Sequence, residues 1–266
     1  MEKIDNKIEE IIKNSWNSFH AKVVSDLRNK WRKALICPYY NDNHTNKARE
    51  MDIIVEKDFS FDVFWWSYII RLQLFIECKY NKNLTLFWFD DIDYESAISL
   101  ITNMNQIGRN NIHHDKSHYI TDDKKVAKLY ASSKDKDTEN EDFFKWINQI
   151  LNWFIYYKDK TLNFPNDDIT NNVNVQSPNI TIKLPLIMCN NFDNMYGINI
   201  WENESIKQQN PFFQLEINYN YIGYNNIPEH KYFLIDVVDF TKFDLFIDDI
   251  IKKEFESIKI CKPNFE

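Results

Sequence analysis

Glycine is nearly absent from this sequence, since the 266 residues contain only Gly108, Gly197 and Gly223. A phosphate-binding P-loop needs two glycines within one short turn, and a dinucleotide-binding fingerprint needs two or three. Glycines this far apart cannot form either motif. The Gly-x-Ser-x-Gly turn of common serine hydrolases and the His-Glu-x-x-His motif of zinc proteases are also missing from the sequence. Several large enzyme classes are therefore excluded before any segment is considered.

Composition predicts a folded chain that is long enough for one or two domains. Hydrophobic residues make up 44% of the sequence and aromatic residues 16%, which is ample surface for a buried core. The four cysteines form no Cys-x-x-Cys pair, and the first residues do not resemble a signal peptide. The most apolar stretch, 63–76, is interrupted by Arg71 and Gln73 and is too short to span a bilayer. We therefore expect a cytoplasmic protein with reduced thiols and no membrane partner.

Apolar periodicity predicts helices and strands in a mixed order. Apolar positions from Ile4 to Trp31 recur at steps of three and four, which is typical of one long helix. Strands are predicted at 34–40, 50–55, 69–80, 84–89, 184–189, 195–201, 212–221 and 232–238, with an acidic turn at 56–58. Further helices are predicted at 94–104, 143–157 and 242–258. The segment 108–141 is predicted to be an irregular insertion with a short ordered piece around 126–130, and 163–179 a linker. This order predicts an α/β fold in which helices flank a mixed β-sheet.

The predicted linker separates two segments of different charge. Residues 1–160 carry 24 Lys and Arg against 25 Asp and Glu, whereas residues 161–266 carry 8 against 15. We expect the first segment to form a core, and the second an acidic, strand-rich extension with a final helix, either separate or packed into the same domain. A polyanion would meet the first segment, because phosphate contacts depend on local basic patches rather than on net charge.

Two acidic residues and a lysine lie on two predicted strands. Asp52 is in the strand at 50–55, and Glu77 and Lys79 end the apolar strand at 69–80. Residues two apart in a strand share a face, so Glu77 and Lys79 point the same way. If the strands are neighbours, Asp52 and Glu77 can converge on Mg²⁺ or Mn²⁺, which prefer oxygen ligands. Lys79 could then orient or deprotonate an attacking water. The alternative is a structural ion pair between Glu77 and Lys79.

The segments Arg-Glu-Met-Asp-Ile-Ile at 49–54 and Ile-Glu-Cys-Lys-Tyr at 76–80 resemble the PD-(D/E)xK nuclease superfamily, which has the restriction-endonuclease-like fold. The long first helix, Pro-Tyr-Tyr-Asn-Asp at 38–42 and the strand at 86–89 match the same context. The resemblance covers roughly residues 1–160. Met51 stands where the motif has proline.

This resemblance implies a Mg²⁺- or Mn²⁺-dependent endonuclease that hydrolyses phosphodiester bonds, with DNA as the expected substrate. It makes Asp52 and Glu77 metal ligands, the main-chain carbonyl of Cys78 a further ligand, and Lys79 the catalytic lysine. Many members also place a glutamate of the first helix at the site, for which Glu10 is the candidate here.

Further residues are expected around this site. His20 lies on the first predicted helix where the additional glutamate would be expected. Some members of the superfamily place a polar residue from a later helix at the site, which here would be Gln149. Lys47 and Arg49 precede the strand of Asp52 and could contact phosphates beside the scissile bond; the alternative for them is a surface salt bridge. The histidines of the insertion, including His118, are interpreted as loop residues rather than as a metal site.

Abundant Asn, Ile and Lys indicate an AT-rich microbial genome, in which nucleases of this type commonly act in defence or restriction. An RNase with the same site is a second possibility. A homodimer would suit the cleavage of both strands of DNA. The competing hypothesis is a non-catalytic protein that keeps the nuclease fold and binds a protein partner through residues 161–266.

Overall fold

A mixed sheet of ten strands organises the part of the chain that the structure describes. The structure is a computed structural model that describes residues 16–31, 33–42, 47–63, 66–104, 117–120, 124–133, 141–158, 160, 162, 164, 180–202, 206–207, 210–223 and 227–259. Its helices are α1 (Trp16–Lys30), α2 (Tyr94–Met104), α3 (Glu141–Tyr157) and α4 (Phe243–Lys259). Its strands are β1 (Lys33–Ile36), β2 (Tyr39–Asn41), β3 (Ala48–Glu50), β4 (Ile53–Val63), β5 (Trp66–Lys79), β6 (Thr85–Asp91), β7 (Lys125–Ser132), β8 (Ile180–Cys189), β9 (Met195–Asn199), β10 (Ile206–Lys207), β11 (Phe212–Ile222) and β12 (Pro228–Asp239).

The order of strands across the sheet is β1-β4-β5-β8-β12-β11-β7-β6-β9-β10, while β2 and β3 form a separate hairpin. β4 pairs antiparallel with both β1 and β5, and β8 runs parallel to β5 and to β12. Strands from residues 161–266 therefore lie between β5 and β7 in the same sheet as strands from residues 1–160. The predicted α/β class, with helices flanking a large mixed sheet, is confirmed.

Helices cover both faces of the sheet because successive residues of its central strands point to opposite sides. On one face Leu72 of β5 is buried with Val23 of α1 and Phe246 of α4. On the other face Phe75 of β5 packs against Trp153 of α3, with 5.1 Å between the ring centroids. α1, α2 and α4 thus share one face, and α3 covers the other.

The predicted turn at 56–58 is wrong, because these residues lie within β4, which continues to Val63 and pairs with β5. Glu56 is buried in this strand and accepts hydrogen bonds from Gln73 of β5 at 2.5 Å and from Lys33 of β1 at 3.0 Å. A buried carboxylate is tolerated when neighbouring strands supply such partners. The acidic segment was therefore mistaken for a turn, because the partners of Glu56 are distant in sequence.

Other predicted boundaries differ less from the structure. The strand predicted at 34–40 is divided into β1 and β2, since Cys37 adopts a φ of 50° and Pro38 follows it. The short ordered piece predicted around 126–130 within the insertion is the strand β7, which is longer by one residue at its start and two at its end. Most of the predicted linker, together with residues 1–15 and therefore Glu10, lies outside the described residues.

The described residues contain no helix with the length and apolar character that crossing a lipid bilayer requires. Cys37, Cys78 and Cys189 carry free thiols. Burial raises the pKa of the Cys37 thiol to about 11, which keeps it protonated and a poor nucleophile at neutral pH.

Candidate metal centre

The hairpin of β4 and β5 places Asp52 beside Glu77. Ile53, the first residue of β4, pairs with Ile76 of β5. Because the strands are antiparallel, Asp52 and Glu77 are next to each other. Glu77 follows the α3-facing Phe75 by two positions and therefore points to the α3 face of the sheet. Both carboxylates are buried, with 7% of Asp52 and 3% of Glu77 exposed. The convergence predicted from strand alternation is thus present in the structure.

Asp52 is held by its main chain and by its side chain. Its carbonyl accepts a hydrogen bond from the N–H of Cys37 over 2.8 Å, which continues the pairing of β1 with β4. Its Oδ2 accepts a hydrogen bond from the N–H of Cys78 over 2.7 Å. The carboxylate is therefore fixed at the end of β5, where it faces the site.

Lys79 links Glu77 to α3. Its Nζ lies 2.6 Å from Oε1 of Glu77 and donates to Oε1 of Gln149 over 3.1 Å. The same ammonium lies 5.9 Å from the ring centroid of Trp146, one helical turn before Gln149. Lys79 itself is buried whereas Gln149 is exposed, so Gln149 stands between the lysine and solvent.

The two carboxyl groups are electrostatically frustrated without a cation. Burial, together with the nearby charge of Asp52, raises the pKa of Glu77 to about 7, although Lys79 opposes both effects. Burial likewise raises the pKa of Asp52 to about 6, against the influence of Lys79 and of the Cys78 N–H. Two buried acids on neighbouring positions of adjacent strands favour a proton or a metal ion between them.

The chemistry of these donors fits a hard divalent cation. Mg²⁺ is commonly bound through one or two carboxylates, with water and substrate phosphates completing its shell. Asp52 and Glu77 supply two carboxylates, and the main-chain carbonyl of Cys78 lies between Glu77 and Lys79 in sequence. Within the described ranges, no three His, Cys, Asp and Glu side chains are grouped to hold a metal. A cation here would therefore depend on the two carboxylates, main-chain oxygen and water, while Glu10 lies outside the described residues.

His20 of α1 approaches the site from the other side of β4. A hydrogen bond joins its imidazole to the main chain of Asp52, and the charges of Glu77 and Glu50 act on it. Burial is the largest influence and lowers the pKa of His20. The position expected to hold an additional glutamate therefore holds an imidazole that supports the backbone of Asp52.

The hairpin of β2 and β3 contributes side chains whose roles sequence analysis missed. Tyr40 is buried, and burial raises its pKa, with further contributions from Asp42 and Glu77. Asp42 is buried as well, and its Oδ2 lies 2.9 Å from Nε of Arg49. Both residues belong to the Pro-Tyr-Tyr-Asn-Asp segment at 38–42, whose resemblance to the nuclease motif could have pointed to them. No periodicity in the sequence indicated that this segment lies near Glu77.

Lys47 and Arg49 differ in what they contact. Arg49 is half exposed and is ion-paired with Asp42, which is the salt bridge considered as its alternative role. Lys47 is exposed, and its main-chain carbonyl accepts a hydrogen bond from the N–H of Asp42 over 3.0 Å. Arg49 therefore has a structural contact in the hairpin, and Lys47 presents its side chain to solvent.

Comparison of the chain with protein-family models, with curated proteins and with solved structures finds no match.

Proposed function

We propose that this protein is a metal-dependent nuclease of the restriction-endonuclease-like type, with its site at Asp52, Glu77 and Lys79. The observation that carries the proposal is the pair of buried carboxylates on adjacent strands, with an ammonium 2.6 Å from one of them. A structural ion pair between Glu77 and Lys79 does not need a second buried acid. Asp52 raises the pKa of Glu77 and so disfavours its charged form. A divalent cation would remove this cost.

The architecture around the site supports the same proposal. α1 leads into β1, the hairpin of β4 and β5 carries the acidic residues, and α3 precedes β8, which lies parallel to β5. This is a mixed sheet flanked by helices, as the resemblance implies. The polar residue expected from a later helix, Gln149, contacts Lys79.

In the proposed reaction Asp52 and Glu77 hold the cation. When bound, the cation supplies Lewis acidity toward a phosphodiester. Lys79 has three N–H donors, of which one is directed to Glu77 and one to Gln149. Its third donor is available to a phosphate oxygen or to the attacking water, where the positive charge stabilises the charge that develops during hydrolysis. Gln149 keeps the ammonium in this orientation.

Cleavage assays with a substitution of Lys79 test the proposal. Purified wild-type protein and Lys79→Ala should be incubated with plasmid, single-stranded DNA and RNA in the presence of Mg²⁺ or Mn²⁺. Cleavage by the wild type should be lost by at least about 100-fold in the variant, which is the range for a group that acts on the reacting atoms. The matched control is Lys82→Ala, which removes an exposed lysine three positions away.

Each outcome of these assays tests a different part of the proposal. Cutting of DNA or of RNA identifies the substrate class. Equal cutting by Lys79→Ala would show that the nuclease activity does not belong to this site. The absence of both cutting and Mn²⁺ binding by calorimetry would favour the hypothesis of a non-catalytic protein that binds a partner.

A further inference from the structure

The sheet divides between β8 and β12. The two strands pair only at their C-terminal ends, 186–189 with 236–239, whereas β8 begins at Ile180 and β12 at Pro228. Among the described residues, those of β8 before Leu186 are not paired with β12. Pro185, immediately before the paired segment, has no backbone N–H to donate to a neighbour. The strands therefore separate toward their N-terminal ends and leave a cleft in the sheet.

A pocket of about 600 Å³ occupies this cleft. Its volume lies within the ~300–1,000 Å³ that small-molecule sites usually have. Ser96 and Ser99 of α2 line one part of it, and Lys158, which follows α3, lines another. Lys183 of β8 and Lys231 of β12 also line it, one from each side of the unpaired part of the two strands.

All charged side chains among the described lining residues are basic. They are Lys158, Lys183 and Lys231, and His230 lies beside them. This local excess stands out in a chain whose net charge is −8. A basic pocket in an acidic protein concentrates anions locally, because low-dielectric walls focus the field of the lysines.

Neighbouring groups hold Lys183 and Lys231 in place. Lys183 donates from Nζ to the main-chain carbonyl of Lys158, and Lys231 Nζ lies 2.8 Å from Oε2 of Glu229. The ammonium groups of Lys158 and Lys231 lie 5.9 and 5.6 Å from the ring centroid of the same side chain, Tyr221. Two ammonium groups therefore converge on one side of the cleft, where they would attract an anion.

We propose that this cleft binds a phosphorylated ligand of nucleotide size, either a free nucleotide or a nucleotide within a nucleic-acid strand. Lys158, Lys183 and Lys231 would hold the phosphate groups. Ser96, Ser99 and the half-buried ring of Tyr232 would contact the rest of the ligand. Inorganic phosphate alone is too small to reach these residues as well as the lysines.

The cleft is separate from the candidate metal centre. Lys183 pairs with Gln73 in β5, six residues before Lys79, which corresponds to about 20 Å along the strand. The inference therefore does not rest on the proposed nuclease activity, and Lys79→Ala should bind the ligand as the wild type does.

Calorimetry tests the inference with ATP, pyrophosphate and a short single-stranded oligonucleotide as probes. We expect the wild type to bind ATP or the oligonucleotide, and the double variant Lys158→Ala/Lys231→Ala to bind it at least about tenfold more weakly, with less dependence on salt. The variant Lys158→Arg/Lys231→Arg should retain binding. The matched control is Lys252→Ala, an exposed lysine of α4, and thermal unfolding of each variant verifies its fold.

The probes separate the two sources of the ligand. Loss of ATP binding in the double variant supports a free nucleotide, and loss of oligonucleotide binding alone supports a nucleotide within a strand. The inference is overturned if the wild type binds neither probe, or if the folded double variant binds as tightly as the wild type.

Discussion

The main-chain N–H of Cys78 donates to Oδ2 of Asp52 over 2.7 Å. This hydrogen bond ties the end of β5 to the residue that precedes β4, and it keeps the buried carboxylate of Asp52 beside Glu77. An ionised carboxylate has about four lone-pair sites, so one such bond leaves most of its acceptor capacity unused. The contact therefore holds Asp52 in place and leaves its remaining acceptor sites for the proposed cation.

In EDTA, the carboxyl pair should make folding stability fall as the pH rises from about 4 to about 7. The ordinary pKa values of Asp52 and Glu77 are 3.8 and 4.5, and the folded-state values are about 6 and about 7. Between these limits the folded protein binds more protons than the unfolded chain, so raising the pH costs stability. Below both ordinary values this contribution is fully retained, and above about pH 7 it is lost.

Added Mn²⁺ at pH 8 should raise the melting temperature by at least about 3 °C, because a ligand that binds only the folded state stabilises it. The double variant Asp52→Asn/Glu77→Gln should show neither the pH-dependent loss nor the response to Mn²⁺. Thermal unfolding in EDTA and in Mn²⁺ measures both effects as a difference between the two proteins. An equal response to Mn²⁺ in wild type and variant would place the metal elsewhere.

Replacing Gln149 with leucine should lower the rate constant for cleavage about tenfold, with little change in KM. Its Oε1 accepts a hydrogen bond from Lys79, and hydrogen bonds to charged groups contribute about 1.5–3 kcal/mol. Gln149→Glu keeps an acceptor and should retain more activity than Gln149→Leu. Asn148→Ala, the preceding position on α3, is the control for disturbance of the helix. If Gln149→Leu raised KM alone, the residue would contact substrate instead of positioning Lys79.

Lys47→Ala should weaken binding to duplex DNA uniformly across sequences and reduce the salt slope by about 1, as expected for one lost phosphate contact. The melting temperature should stay unchanged because Lys47 is exposed. Arg49→Ala should also destabilise the protein, since it leaves the buried Asp42 without its ion pair. Fluorescence anisotropy at several salt concentrations, in a Lys79→Ala background, separates the two effects. A lowered melting temperature in Lys47→Ala would argue against a purely electrostatic role.

Asp236→Ala should cost about 3 kcal/mol or more of folding stability. Oδ1 of Asp236 lies 2.9 Å from Nε2 of His118 and accepts from Gln214 over 3.1 Å, and all three residues are buried. Removing the carboxylate leaves two buried polar groups without this acceptor. Asp236 alternates with Ile235, which faces α3, so it lies on the opposite face from Glu77. Urea unfolding should therefore show a lower free energy of unfolding for Asp236→Ala, while the cleavage rate of the folded variant should be unchanged.

Residues close in sequence explain most of what could be predicted. The periodicity at 94–104 and 143–157 locates α2 and α3, because helical amphipathicity is a local property. Asp52 and Glu77 were paired correctly from strand alternation, since a hairpin joins strands that follow each other along the chain. The two acids and the lysine at the strand ends could be singled out for the same reason, since they are visible in the sequence without the sheet.

Contacts between distant segments could not be predicted. The histidine at 118 was interpreted as a loop residue, yet it is buried against Asp236 of β12. Glu56 was assigned to a turn, yet β1 and β5 supply its partners. His20 reaches the main chain of Asp52 only because α1 packs against β5 on one face of the sheet.

The sequence by itself determined the fold class, most of the element positions and the identity of the two acids and the lysine. The tertiary structure decided which distant side chains surround them and where the sheet divides between β8 and β12. The physical reason is that amphipathic periodicity depends on neighbouring residues, whereas the burial of Glu77 and the separation of β8 from β12 depend on how all the strands pair.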